Sequence, residues 1–256
     1  FYAKNIPMKT ILITGASSGL GAALAKEFAD NNAYLILMGR DTTRLKKVAQ
    51  QCKTANAKVT CKVIDVTDAT AMATEIEALD KKYPIDVVIA NAGISGGTAG
   101  GRETAVQTRQ IFDVNINGVL NTVLPAIPRM INRKAGQIVI ISSLAGFRGL
   151  SGAPAYSASK NAVRAWGEAL RLDLAPKGIK VNVVCPGFIK TPLTDVNKFK
   201  MPILMDAEYA ARVIKQGIDK NKARIAFPFR LVAITRLISI LPLWLSDFIV
   251  SKLPGK

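Results

Sequence analysis

Six apolar runs of strand length, separated by stretches of helical period, constrain this chain more than any other feature. The runs are KTILIT (9–14), AYLILMG (33–39), AKVTCKVIDV (57–66), IDVVIANAG (85–93), GQIVIISS (136–143) and IKVNVVCPG (179–187). Between them the pattern predicts helices over 19–32, from Thr42 through Cys52, and over 69–81, 103–133 and 156–176. Strands that stay apolar instead of alternating must be buried on both faces. Strand–helix alternation then implies parallel strands joined by crossovers, with helices on each side of one sheet. The expected fold is a single α/β domain, a doubly wound parallel sheet over residues 8–256. No repeat and no Pro-, Gly- or Ser-rich linker divides it. Residues 188–224 read as a substrate-loop region and 225–256 as an apolar, basic tail; residues 1–7 read as a short arm or tag remnant before Met8.

Composition excludes several chemistries. The chain has no histidine, the commonest metal ligand, and its three cysteines (Cys52, Cys61, Cys185) form no C-x-x-C pair. No metal site is expected, and the cysteine usage suggests a reducing, cytoplasmic compartment. The start, FYAKNIPMKTILITGA, lacks the pattern of a secretory signal. The formal net charge is +17, and residues 176–256 carry 14 Lys/Arg against 5 Asp/Glu. Such a surface attracts anions, or is simply a solvated basic face. No nucleic-acid partner is expected.

The first strand runs into TGASSGLG, which carries Gly15, Ser17, Ser18, Gly19, Leu20 and Gly21, with the glycines spaced G-x-x-x-G-x-G. Glycine permits a tight turn and lets the backbone approach a pyrophosphate, while the helix that follows presents its first N–H groups to the anion. The position between a strand and a helix is the context this reading needs. The second strand ends in LMGRD. An acid there selects a ribose 2′-OH, whereas an arginine accommodates a 2′-phosphate. Gly39 stands where the acid is expected and Arg40 follows, with Arg44 to assist and Asp41 expected to turn away. NADP(H) is therefore the expected cofactor, with NAD(H) the alternative.

Tyr156 and Lys160 are four residues apart, which places them on one helical face. A free tyrosine is too weak an acid for proton transfer at neutral pH, and a nearby cation favours its phenolate. The pair can replace histidine as a general acid or base. Ser143 ends the fifth strand, on the side where α/β sheets bind their ligands. Asn115 is a polar amide in an apolar helical stretch: a core amide at a backbone irregularity, or part of a proton relay.

Together these residues resemble the short-chain dehydrogenase/reductase family, from about Lys9 to Thr191. Seven motifs occur in order: TGASSGLG, DVTD (65–68), NAG (91–93), VNING (114–118), ISSLAG (141–146), YSASK (156–160) and PGFIKT (186–191). The resemblance implies a Rossmann-type sheet of seven strands and a tetrad of Asn115, Ser143, Tyr156 and Lys160. In it Tyr156 exchanges the proton, Ser143 polarises the carbonyl, Lys160 lowers the tyrosine pKa and binds the nicotinamide ribose, and Asn115 holds a water that links Lys160 to solvent. It places Asp65 and Val66 by the adenine, Asn91, Ala92 and Gly93 beside the cofactor, and Pro186, Gly187 and Thr191 near the nicotinamide. Arg40 matches the NADP-preferring branch, and the tail looks like that of certain bacterial short-chain reductases. Assembly into a homodimer or homotetramer, through the helices at 103–133 and 156–176, is likewise what the resemblance implies.

The tail from Ile225 to Lys256 is apolar but interrupted by Arg230, Arg236, Asp247 and Lys252. Its longest uncharged run, Leu237–Ser246, is ten residues and contains Pro242. That is about half of what a membrane span needs, and Pro242 is expected to separate two short helices. Three placements remain open: in a membrane interface with Trp244 and Phe248 as anchors, over the substrate pocket, or against the core or another subunit. The loop after Pro186 mixes Phe188, Leu193, Phe199, Met201, Pro202, Ile203, Leu204 and Met205 with Lys190, Lys198 and Lys200. It fits an apolar substrate, a carbonyl compound or secondary alcohol. The expected activity is NADPH-dependent, reversible reduction of a carbonyl to a secondary alcohol. The alternatives are a lipid or acyl-ketone reductase at a membrane surface and a non-catalytic dinucleotide-binding regulator.

Overall fold

The computed structural model describes residues 8–96, 103–195 and 201–251. The arm at 1–7, the loop residues Lys198, Phe199 and Lys200, and Lys252 lie outside them. Seven parallel strands form one sheet in the order β3-β2-β1-β4-β5-β6-β7. They are β1 (Lys9–Thr14), β2 (Ala33–Gly39), β3 (Lys58–Val63), β4 (Val87–Ala90), β5 (Gly136–Ile141), β6 (Ile179–Pro186) and β7 (Arg224–Phe227). The helices are α1 (Gly19–Glu27), α2 (Thr42–Thr54), α3 (Ala69–Lys82), α4 (Ala105–Phe112), α5 (Gly118–Val123), α6 (Ile127–Arg133), α7 (Pro154–Leu174), α8 (Pro192–Asp195), α9 (Ala207–Asp219), α10 (Phe229–Ile240) and α11 (Leu243–Ser251).

Alternate residues of the central strands enter different cores, as continuous apolar strands require. Ile11, Ile13, Leu35 and Leu37 pack with Leu24 of α1 and Ile214 of α9. Leu12, Ile36 and Met38 pack on the opposite face with Met72 of α3, Val119 of α5 and Val163 of α7. β3 is an edge strand and is only partly covered.

The structure corrects the sequence reading in places. The long helix expected over 103–133 is three helices. A π-helical turn, Asp113–Asn117, separates α4 from α5. Pro125 and Pro128 account for the break before α6, because proline has no N–H to continue the ladder and clashes with the preceding turn. The first helix ends at Glu27, five residues early. Asp30 accepts a hydrogen bond from the Asn32 amide at 2.8 Å, so this polar run forms a turn instead. β7 and α9 carry no distinct strand or helix prediction; β7 is only four residues long. Pro242 does separate two helices, α10 and α11.

One ion pair anchors the start of β4. Asp80, buried at 5% exposure, accepts from the Ile85 amide at 2.9 Å and from Arg133 Nη1 at 2.9 Å. Arg133 Nη2 donates to the Ile85 carbonyl. Removing the guanidinium strands a buried carboxylate, which typically costs about 3–5 kcal/mol. Arg133→Ala is therefore expected to lose roughly 3 kcal/mol of stability in urea denaturation; a loss below about 0.5 kcal/mol would show the clamp to be dispensable.

Candidate active site

β1 connects outward to β2, while β4 and its successors extend the sheet the other way. The crossovers leave the sheet on opposite faces and open a crevice at the strand ends. The two strands are laced there. Thr14 Oγ1 accepts from the Asn91 amide at 3.1 Å and from the Ala92 amide at 3.2 Å, and Asn91 Nδ2 donates to the Thr14 carbonyl at 2.9 Å.

The turn out of β1 needs its glycines. Gly15 and Gly19 have φ of 65° and 53°. A Cβ on Gly21 would lie 2.2 Å from the Gly15 carbonyl oxygen, so only glycine lets α1 start so close to the turn. Ser18 precedes α1 without a side-chain cap, and no acid stands in its first turn. The first N–H groups are thus left to an anion. Thr191 packs across the loop: a Cβ on Gly19 would meet it at 3.1 Å.

At the end of β2, Arg40 is 67% exposed and pairs loosely with Asp65 at 3.4 Å. Asp65 is held below the ordinary carboxylate range: burial pushes it up, but hydrogen bonds from the Thr67 amide and hydroxyl and the charge of Arg40 outweigh that. Asp41 caps α2, accepting from the Arg44 amide and from Arg44 Nε, both at 2.8 Å. Its carboxylate is thereby committed to Arg44, and its pKa is lowered mainly by the amide bond.

The four catalytic candidates meet at the end of β5. Ser143 lies just beyond the strand, with its hydroxyl on the Ala145 amide at 3.1 Å, and it hydrogen-bonds the Tyr156 phenol. Lys160 is 4% exposed. Its Nζ donates to the Ile141 carbonyl at 2.9 Å and stands 5.8 Å from the centre of the Tyr156 ring. Ser142 Oγ donates to the Lys160 carbonyl at 2.7 Å, tying α7 to the sheet. Asn115 is fully buried in the π-helical turn. It accepts from the Ile94 amide at 2.8 Å, and its Nδ2 donates to the Ile94 carbonyl at 2.9 Å and to Ser159 Oγ at 3.1 Å. Asn115 Oδ1 and Lys160 Nζ converge on Gly93, where a Cβ would come within 3.2 and 3.3 Å of them.

Burial sets the electrostatics. It pushes the Tyr156 phenol up, against the Ser143 hydrogen bond. It pushes Lys160 down to about 8. The phenol therefore holds its proton at neutral pH, and the lysine sits near its midpoint just above it.

A cavity of about 830 Å³ gathers these groups. It is lined by the phosphate-loop residues Gly15, Ser17, Ser18, Gly19, Leu20 and Gly21, by Arg40, Asp65 and Val66, and by Asn91, Ala92 and Gly93. Ser143, Tyr156, Lys160, Pro186, Gly187 and Thr191 complete the wall. Asn115 alone stands behind it. Leu231, Ile234, Thr235 and Ile238 of α10 and Val250 of α11 also line the cavity, so the tail is part of its wall. Val232 packs inward with Leu144, Val183 and Cys185. Trp244 and Phe248 of α11 stay largely exposed.

Sequence reading missed Glu103. Its Oε2 accepts from the Ala155 amide at 2.6 Å and its Oε1 from the Tyr156 amide at 3.2 Å. α7 opens Ala153-Pro154, with no capping side chain of its own. A carboxylate 52 residues away in sequence takes that part. The only signal was negative, a helix start with no cap residue.

Two outcomes follow from this geometry. Glu103→Gln keeps one acceptor oxygen and loses the charge, so it should destabilise by about 0.5–1 kcal/mol, whereas Glu103→Ala, leaving both amides unpaired, should lose clearly more on thermal denaturation. Lys160 binds fewer protons in the folded than in the unfolded protein between about pH 8 and its ordinary 10.5. The penalty for burying the ammonium is thus complete below pH 8 and relieved as pH rises through that window. Measured against Lys160→Met, the wild-type protein without cofactor should gain stability from pH 8 to 10; a flat difference would mean that Lys160 titrates as if in water.

A family model described as short chain dehydrogenase matches residues 9–201. The chain is 39% identical over 246 residues to an uncharacterised oxidoreductase of Myxococcus xanthus, covering 96% of this chain and 97% of that one. Among solved structures it is similar to a short-chain dehydrogenase from Sphingobium yanoikuyae in complex with NADPH: TM-score 0.80, 27% identity, 96% of this chain and 97% of that one. It is also similar to the bulky-bulky ketone specific alcohol dehydrogenase from Comamonas testosteroni: TM-score 0.79, 25% identity, 96% and 95% of the two chains.

Proposed function

This chain belongs to the short-chain dehydrogenase family, and we propose that within it the protein is an NADPH-dependent reductase of apolar ketones. The observation that carries the reading is the convergence of Ser143, Tyr156 and the buried Lys160 on one cavity that α10 walls with aliphatic side chains.

The cavity fits a nicotinamide dinucleotide. The glycine turn and the uncapped start of α1 would hold its pyrophosphate, Asp65 and Val66 its adenosine end, and Asn91, Gly93, Lys160 and Thr191 its nicotinamide end. Bound there, the dinucleotide supplies or accepts the hydride. Arg40 supports a preference for the 2′-phosphate. Its pairing with Asp65 is long and exposed and so contributes little, while Asp41 is already engaged by Arg44. The relative from Sphingobium yanoikuyae, solved with NADPH, agrees with this choice.

The chain's own residues manage the proton. Tyr156, kept protonated by burial, donates to the carbonyl oxygen. The Ser143 hydroxyl donates a hydrogen bond to the same oxygen as charge develops on it. The Lys160 ammonium stabilises the phenolate left behind. Asn115, bonded on both edges by the Ile94 backbone, fixes the loop after β4, whose Gly93 lies beside Lys160 Nζ. The aliphatic wall of Leu231, Ile234 and Ile238 excludes water and favours an apolar substrate. The likeness to a bulky-ketone alcohol dehydrogenase points the same way. A reducing, cytoplasmic setting and pairing into a homodimer or homotetramer through α4, α5 and α7, which expose Val106 and Leu172, belong to the same reading.

Titration of the protein with NADPH and NADH, followed by nicotinamide fluorescence, tests the cofactor half. NADPH should bind at least tenfold more tightly, and Arg40→Ala should abolish the difference; equal binding to the wild-type protein would remove Arg40 from the site. Tyr156→Phe tests the chemistry. It should lower ketone turnover by about 10²–10⁴-fold while cofactor affinity stays within about twofold. Unchanged turnover in that variant would refute the assignment of Tyr156 as proton donor.

A further inference from the structure

The two tail helices use only their inner sides on the protein. Much of what they expose is apolar. Phe229 is 82% exposed, Leu237 58%, Ile240 78%, Leu243 71% and Trp244 73%. In α10, Phe229, Ala233, Leu237 and Ile240 recur at helical spacing and form one outward stripe. Arg230 and Arg236 flank the stripe, exposed, and neither pairs with a carboxylate among the described residues. Ile240 through Trp244 continue the apolar surface across the Pro242 turn into α11. The one carboxylate of these helices, Asp247, is paired with Arg148. An apolar stripe of this length left uncovered on a surface helix is unusual for a protein in water.

The same helices wall the cavity, through Leu231, Ile234, Ile238 and Val250. Ile234, Leu193 and Ile203 line the cavity and are also exposed, so its mouth has an apolar rim on the side of the tail. No helix among the described residues is long and apolar enough to cross a membrane.

We infer that α10 and α11 form an interfacial anchor that seats the cavity mouth on an anionic lipid bilayer, from which an apolar substrate enters. The substrate clause rests on the function proposed above; the docking clause does not. The side chains supply what an interfacial helix needs: an aliphatic and aromatic stripe to enter the acyl boundary, a tryptophan for the interface, and arginines at headgroup level. The chain's net charge of +17 supplies long-range attraction to an anionic surface. A second copy of the chain fits less well. A symmetric contact through this stripe would bring Arg230 and Arg236 of both copies together, with no carboxylate on the face to neutralise them.

Co-sedimentation of the full chain with vesicles tests the anchor. Vesicles of phosphatidylglycerol and phosphatidylcholine should carry the protein down, and pure phosphatidylcholine vesicles should bind it at least tenfold more weakly. Trp244→Asp and Leu243→Asp should each reduce partitioning more than tenfold. Arg230→Glu with Arg236→Glu should reduce it by about 30-fold or more on anionic vesicles. None of these side chains lines the cavity, so turnover of a water-soluble ketone without vesicles should be unchanged, which also shows that the variants fold. Three results would overturn the inference: no sedimentation with anionic vesicles, sedimentation that the tail variants leave intact, or self-association in sedimentation velocity that Leu243→Asp abolishes. Turnover without vesicle binding would sink the anchor and leave the reductase. Tail-dependent vesicle binding without turnover of any ketone would keep the docking surface and sink the reductase.

Discussion

A strand buried on both faces has room for a polar side chain only near its ends, where hydrogen-bond partners are at hand. That constraint governs β1, β2, β4 and β5, whose residues alternate between two separate apolar cores. Polar chemistry is driven to the strand ends. Because the crossovers diverge beside β1 and β4, one end of the sheet opens into a crevice. Thr14, Asn91, Ser142 and Ser143 all sit where the strands stop. Their hydrogen bonds tie the loops together, so the crevice is shaped before any ligand arrives.

Within the crevice, Lys160 and Asn115 are the most firmly held of the candidate groups. Lys160 is buried against the β5 carbonyl end, and Asn115 is gripped through both amide atoms. The π-helical turn carries Asn115, at some loss of regular helix geometry, as such turns often do at functional sites. Glu103 fixes the start of α7 from outside the helix. Each of these contacts orients a group that touches the cavity or stands directly behind it. Of the arginines at the other end, both exposed, Arg44 is held by Asp41 and Arg40 only loosely by Asp65, which suits recognition of a large anion more than proton chemistry.

The tail has two faces with different tasks. Its inner side completes the cavity wall and packs on Leu144, Val183 and Cys185. Its outer side carries an apolar stripe flanked by Arg230 and Arg236, and nothing in the chain's described residues covers that stripe. A soluble substrate would reach the cavity past this greasy rim; a lipophilic one would already be concentrated there.

Much of this was written in the sequence. β1 and β2 match their predicted limits residue for residue, because a run of apolar residues bounded by turn formers admits few alternatives. The glycine turn after β1 was legible because a left-handed turn admits little but glycine, and the Tyr156–Lys160 pair because helical spacing is local. Tertiary structure decided what depends on distance in the chain. It divided the helix expected over 103–133, set Asn115 in a π turn, capped α7 with Glu103, and used Asp41 to hold Arg44. It also laid the inner side of the tail on the cavity. Local spacing fixes which groups share a face; only packing decides which faces meet, because the burial that drives it sums over residues far apart in sequence.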